Sequence, residues 1–260
     1  MPISALFFRR LSEPQTIEVV IDDQIYSVRL RRHRQARRYT LRVQAASRDV
    51  VLTMPLRGSL RDARSFAKKN GNWIALRIAR LPAAAPFRDG AIVPLRGEAH
   101  RIVHRAGARG TVWTEDGEGV KLLCVAGGTA HVERRVRDYF KREAKHALEA
   151  ASLAAAEKLG VTVKRVSVRD QSSRWGSCSS TGRLSYSWRL IMAPPFVLEY
   201  LAAHEVAHLK EMNHSPRFWR LVHAIYPDAA RAKAWLEAHG GDLYRYGSSD
   251  GEARVPAASY

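Results

Sequence analysis

Eleven residues, HEVAHLKEMNH at positions 204–214, hold three histidines and two glutamates. His204 and His208 stand four apart, so on a helix both rings project from one face, one turn apart. Two imidazoles at that separation can share one cation. Glu205 lies beside the first of them, placed to take a proton from a metal-bound water rather than to bind the ion. The string H-E-x-x-H rarely arises by accident. With ten histidines in 260 residues, about one such sequence in fifty would contain it by chance. A pair of ordinary core histidines would account for neither the spacing nor the adjacent carboxylate.

Catalytic zinc takes three protein ligands and keeps a fourth position open. His214, six residues past His208, is the favoured third ligand, with Glu211 as its rival on the helical stripe of His204. For His214 to reach the ion the chain must leave the helix near Met212–Asn213. Asn213 suits that exit because it tolerates the left-handed conformation. Cys178 as a fourth ligand would close the site and make it structural, so it is not favoured. The chemistry of such a set is metal-assisted attack by water, with Glu205 as base. Arg174, His223, Tyr226, Tyr244 and Tyr246 are candidates to stabilise the resulting oxyanion. Phe218 and Trp219 are expected to pack the His214 turn.

The elements that must hold these residues are legible as changes of period. Residues 16–56 alternate as strands, with turn signals at Asp22–Asp23 and Ser47–Asp49. Residues 59–81 have helical spacing with a break at Gly71, and PAAAP (82–86) is a connector. Two hairpin-like segments fill 91–126. An amphipathic helix is expected over 130–159, ended by Gly160, then a strand over 163–169. RLSYSWRLI (183–191) alternates as a strand that could pair with an extended peptide, fed by the turn-rich loop DQSSRWGSCSSTG. A helix should open at Pro194–Pro195 and run to about Met212. Ser215–Pro216 reads as a cap and first turn of the next helix, and Asp228 as the cap of another. No internal repeat is visible. The expectation is an α+β protein with a β-rich basic N-terminal region (1–126), a catalytic domain (127–246) and a flexible tail (247–260).

Apolar residues make up 46% of the chain, enough for a packed core. The formal net charge is +18, and residues 1–80 alone contribute +11, densest in RLRRHRQARR at 29–38. Such a field attracts polyanions, so nucleic acid is a candidate partner of this region, and a solvated basic face accounts for the charge equally well. Two cysteines exclude a disulfide framework. The short apolar run MPISALFF precedes its arginines, the reverse of a secretory signal. No apolar stretch nears the ~20 residues that span a bilayer. A cytoplasmic protein without membrane partners is expected.

HEVAHLKEMNHSPRFW (204–219) and WGSCSSTGRLSYSWRL (175–190) together resemble the YgjP-like zinc metallopeptidases, a family similar to the SprT-like and WLM proteases. RRHRQARRYTLRV and IVPLRGEAHRIV resemble the same family's N-terminal region, so the likeness covers most of the chain. It implies a zincin-like catalytic domain carrying the H-E-x-x-H helix, with His204, His208 and His214 on Zn2+ and Glu205 as base. It also implies hydrolysis of peptide bonds, hence a protein or peptide substrate. The spacing is similar to the metzincin pattern H-E-x-x-H-x-x-G-x-x-H but departs from it at Glu211, where that pattern has its turning glycine. The alternative is a nucleic-acid-associated protein, in which the basic region docks on DNA or RNA near bound protein substrates.

Overall fold

The computed structural model describes residues 14–21, 24–44, 48–171 and 174–247. Apart from Gly247, the tail expected over 247–260 lies outside them, as do Asp22–Asp23 and Ser47. Chain contacts define two compact units that divide at Leu81/Pro82.

The first unit holds strands β1 (Thr16–Ile21), β2 (Gln24–His33), β3 (Thr40–Val43) and β4 (Val50–Pro55), then helices α1 (Leu60–Lys69) and α2 (Gly71–Ala79). The sheet order is β1-β2-β4-β3, with a parallel β2–β4 pair between two antiparallel ones. Strand alternation puts Ile17, Val19, Val28, Leu52 and Met54 on one face. They form a core with Ala63 and Ala67 of α1 and Ile74 of α2. Ser59 caps α1, its Oγ accepting from the Asp62 N–H at 3.0 Å. The helix breaks at Asn70, and Gly71 is required there. A Cβ on Gly71 would lie 2.8 Å from Cγ1 of Ile21.

The second unit begins with β5 (Ile92–Leu95), β6 (Glu98–Arg105), β7 (Val112–Asp116) and β8 (Lys121–Ala126), in the order β5-β6-β8-β7. The long helix α3 (Val132–Leu159) packs on this sheet through Val136 and Phe140 and ends at Gly160, whose φ of 61° is left-handed. The strand-rich stretch before residue 126 is therefore shared between the two units, because β5–β8 build one core with α3. That core continues through Trp188 to Val206 and Phe218.

A three-stranded sheet follows, of β9 (Arg165–Arg169), β10 (Gly176–Cys178) and β11 (Arg183–Ser187), in the order β10-β11-β9. Here two expectations change. The alternation over 183–191 suggested one long strand, but β11 stops at Ser187 and Trp188–Met192 form a 3-10 turn. All five residues of that turn are buried, Arg189 among them, so alternation there does not separate a wet face from a dry one. In addition, β11 is the central strand, flanked by β9 and β10, and has no edge left for a peptide. The edge strands are β9 and β10, and β10 lies inside the segment expected to be a loop. Helices α4 (Pro195–Ala207), α5 (Pro216–Ile225) and α6 (Ala229–His239) complete the unit. No helix of the described residues is long and apolar enough to cross a membrane.

Candidate metal centre

Helix α4 starts with Pro195 in its first turn and is buried on nearly every side, from Val197 and Leu198 to Val206 and Ala207. Such a helix is held by packing rather than by a wet-and-dry stripe. His204 and Glu205 sit in its last turn, and His208 is its C-terminal cap. The expected extension to Met212 does not occur. Leu209 and Lys210 instead donate to the carbonyls of Val206 and Ala207, each at 3.0 Å, a tightened terminal turn that needs no left-handed residue. Asn213 accordingly does not have a positive φ. The return to α5 is fixed by Ser215, whose Oγ accepts from the Phe218 N–H at 3.3 Å, with Pro216 behind it.

This short excursion brings His214 back onto the helix. Its Nε2 lies 3.1 Å from Nε2 of His204, and its ring centroid lies 4.8 Å from that of His208. One nitrogen from each of the three rings falls within 4.8 Å of the other two. Nδ1 of His208 donates to the Glu211 carbonyl at 3.0 Å, which leaves its Nε2 unprotonated toward the cluster. The Glu211 backbone is thus the orienting partner, while its carboxylate faces Arg217 at 3.9 Å and stands outside the cluster. Burial, reinforced by His208 and His214, lowers the His204 pKa to about 4. The ring is neutral at pH 7, as a ligand must be. Phe218 stacks on His208 at 4.4 Å and meets His204 edge-on at 4.9 Å, forming a dry floor.

The donor set fits a zinc ion. Tetrahedral Zn–N bonds of ~2.0–2.1 Å separate neighbouring nitrogens by roughly 3.3 Å, close to the 3.1 Å between His204 and His214. His204 Nδ1 is buried with no hydrogen-bond partner among the described residues. Its ring is therefore oriented by packing and by whatever its Nε2 binds.

Glu205 is 4% exposed, and burial pushes its carboxyl up to about 7, against a smaller opposing pull from Arg174. No residue among those described hydrogen-bonds it. Gly176 of β10 lies directly beneath: a Cβ there would sit 2.8 Å from Cδ of Glu205. The β10 backbone can approach the carboxylate this closely only because position 176 has no side chain. Cys178, two residues on, stands outside the histidine cluster, its thiol pushed up to about 11 by burial and by Glu205.

A cavity of about 310 Å3 opens beside His204 and Glu205, walled by Trp175, Tyr200, Leu201 and Leu236, with Lys233 and Glu237 also lining it. A larger one, about 550 Å3, lies between α3 and α4 and holds none of the chemistry. None of the five oxyanion candidates lines the smaller cavity. Arg174 reaches Glu205 electrostatically, Tyr226 donates to the Phe196 carbonyl at 2.7 Å, and His223 lies against Trp219. Tyr244 packs on Trp175 at 5.0 Å. Buried Arg189 holds that stretch in place by donating to the carbonyls of Leu243 (3.0 Å) and Tyr246 (2.6 Å). Tyr200 escaped the sequence reading although it precedes His204 by four residues, the spacing that singled out His208.

The chain belongs to the YgjP-like metallopeptidase family: the description "YgjP-like, metallopeptidase domain" matches residues 37–239. It is a metal-dependent protease. No curated protein matches the chain. Among solved structures it is similar to the metallopeptidase zymogen abylysin of Pyrococcus abyssi. That likeness has 26% identity over 38% of this chain and 97% of the other, with a TM-score of 0.33.

Proposed function

We propose that this protein hydrolyses peptide bonds as a zinc enzyme, with His204, His208 and His214 holding the ion and Glu205 acting as general base. The observation that carries the reading is the convergence of three imidazoles within 4.8 Å beside a buried carboxylate that no described residue hydrogen-bonds. When bound, zinc supplies Lewis-acid polarisation and makes water acidic enough to lose a proton near neutral pH. Glu205 accepts that proton on its carboxylate and passes it to the leaving amide nitrogen. Its raised pKa of about 7 suits both halves of the transfer. The free edge of β10 holds the substrate in extended form by main-chain hydrogen bonds, with Gly176 giving the backbone clearance. The cavity walled by Trp175, Tyr200 and Leu236 accepts an apolar side chain next to the scissile bond. Tyr200, which lines that cavity, and Arg174, which acts electrostatically on Glu205, are the groups assigned to the developing oxyanion.

Elemental analysis alongside digestion of an unfolded protein substrate tests this. Glu205→Gln should retain zinc in full and lose hydrolysis; wild-type turnover by that variant would remove the base from the scheme. A second reading, nucleic-acid association through the basic N-terminal region, is favoured by the +11 balance of residues 1–80. It is compatible with the first and would bring the protease to nucleic-acid-bound substrates.

A further inference from the structure

We propose that the open face of the β1–β4 sheet docks on the phosphate backbone of duplex DNA, a deepening of the nucleic-acid reading that rests on it. The register assigns the face. With Ile17, Val28 and Leu52 turned into the core, the outward residues form cross-strand rows. One row runs Thr16, Arg29, Val51, Arg42; the next runs Arg31, Thr53, Thr40. Arg29, Arg31 and Arg42 are all exposed. Of the three, Arg29 makes an ion pair, with Asp49 at 3.3 Å, and both are about half exposed; Glu18 lies in the neighbouring row. Arg31 and Arg42 make no ion pair among the described residues. Beyond β2 the exposed Arg34, Arg37 and Arg38 continue the same charge.

Alternate residues on a strand are ~7 Å apart, and neighbouring strands ~4.8 Å apart. Arg29, Arg31 and Arg42 therefore present three guanidiniums within about 12 Å, each able to fork onto a phosphate. Every cation in these rows is arginine rather than lysine, the choice that favours geometric phosphate recognition over a diffuse field. The rows hold only threonine and valine between the arginines, with no phenylalanine, tyrosine or tryptophan. A single strand would find nothing to stack its bases on. The exposed aliphatics of the face, Val20 and Ile25, lie at the hairpin end away from the arginines, too few to seat in a bilayer.

The test is fluorescence anisotropy of a labelled duplex against the full-length protein over a salt series. Arg31→Glu/Arg42→Glu is compared with Arg88→Glu/Arg109→Glu, an equal charge reversal at exposed positions of the second unit. Circular dichroism and thermal midpoints verify that both variants fold. The first pair should weaken binding at least about tenfold and flatten the slope of log affinity against log salt by about two. The second should leave the slope unchanged. Equal losses from both pairs would overturn the face in favour of a general field. Wild-type binding by the first pair would overturn the face and leave the nucleic-acid reading standing. No duplex binding at low salt would remove both, and tighter binding to single strands or anionic vesicles would remove the duplex.

Discussion

In both four-stranded sheets an antiparallel hairpin feeds a parallel central pair, a second antiparallel partner closes the order, and a helix follows the fourth strand. The registers can be laid over one another. Arg29–Val51–Arg42 in the first sheet corresponds to Arg101–Leu122–Glu115 in the second, and Arg31–Thr53–Thr40 to Val103–Cys124–Trp113. Inward positions keep their character, with Leu52 and Leu123 both fully buried. Outward positions keep it less well: Arg29 and Arg101 match, but Arg42 stands where the other sheet has Glu115. The first sheet has a core of its own, whereas the second shares one cluster with the helix that bears the histidines. A connection pattern can thus recur on alternation alone, while charge and chemistry are set by residues the pattern leaves free.

The largest effect that separates the two units is catalytic. His208→Ala should abolish metal retention, and Glu205→Gln should cut turnover by about 10²–10⁴-fold with metal retained. Neither should change duplex binding by the first sheet. Coupled loss of both activities would mean that the units do not divide the work as described.

Next come the matched leucines. Leu52→Ala and Leu123→Ala each leave a cavity in a full core, at a cost of about 2–5 kcal/mol. Leu123→Ala should also weaken metal retention, since its cluster runs on to Val206 and Phe218. Leu52→Ala should spare it. Calorimetry with zinc titration distinguishes them, and equal losses of metal affinity would break the contrast.

Two crowded glycines give a smaller version of the same test. A Cβ at Gly176 would press on Glu205, and one at Gly58 would meet the Tyr39 hydroxyl at 2.7 Å. Gly176→Ala should lower kcat with little change in melting temperature. Gly58→Ala, where a flexible tyrosine gives way, should cost a little stability and no activity.

How much of this could be read from the chain depended on range. The histidine pair and its glutamate were legible because a helical turn is local, and His214 because a third donor had to come from nearby. The helix end was misplaced at Met212 because a terminal turn without glycine leaves no mark in the sequence. The role given to 183–191 fell for a non-local reason: whether β11 is an edge depends on β9, some twenty residues earlier. Arg189 looked like the wet side of a strand, yet it is buried against Asp170 and two carbonyls, contacts that only folding assembles. The shared sheet pattern was invisible for the same reason, because pairing order is not written in residue identity.

The smallest effect concerns pH and the outward face of the second sheet. Glu98 is held below the ordinary value of 4.5 chiefly by the hydrogen bond from Lys121 at 2.5 Å, and Glu115 by that from the Trp113 indole at 2.6 Å. A carboxyl depressed on folding contributes stability that is fully present above its unfolded pKa and is lost as pH falls through the folded one. The second unit should therefore soften on acidification below about pH 4.5, and Glu98→Gln/Glu115→Gln should remove part of that dependence while leaving neutral stability nearly unchanged. Both groups are exposed, so the change is small and should shrink further in high salt. Melting curves between pH 3 and pH 7 measure it. An acid dependence untouched by the double variant would place its origin elsewhere and remove these two carboxylates from the contrast between the sheets.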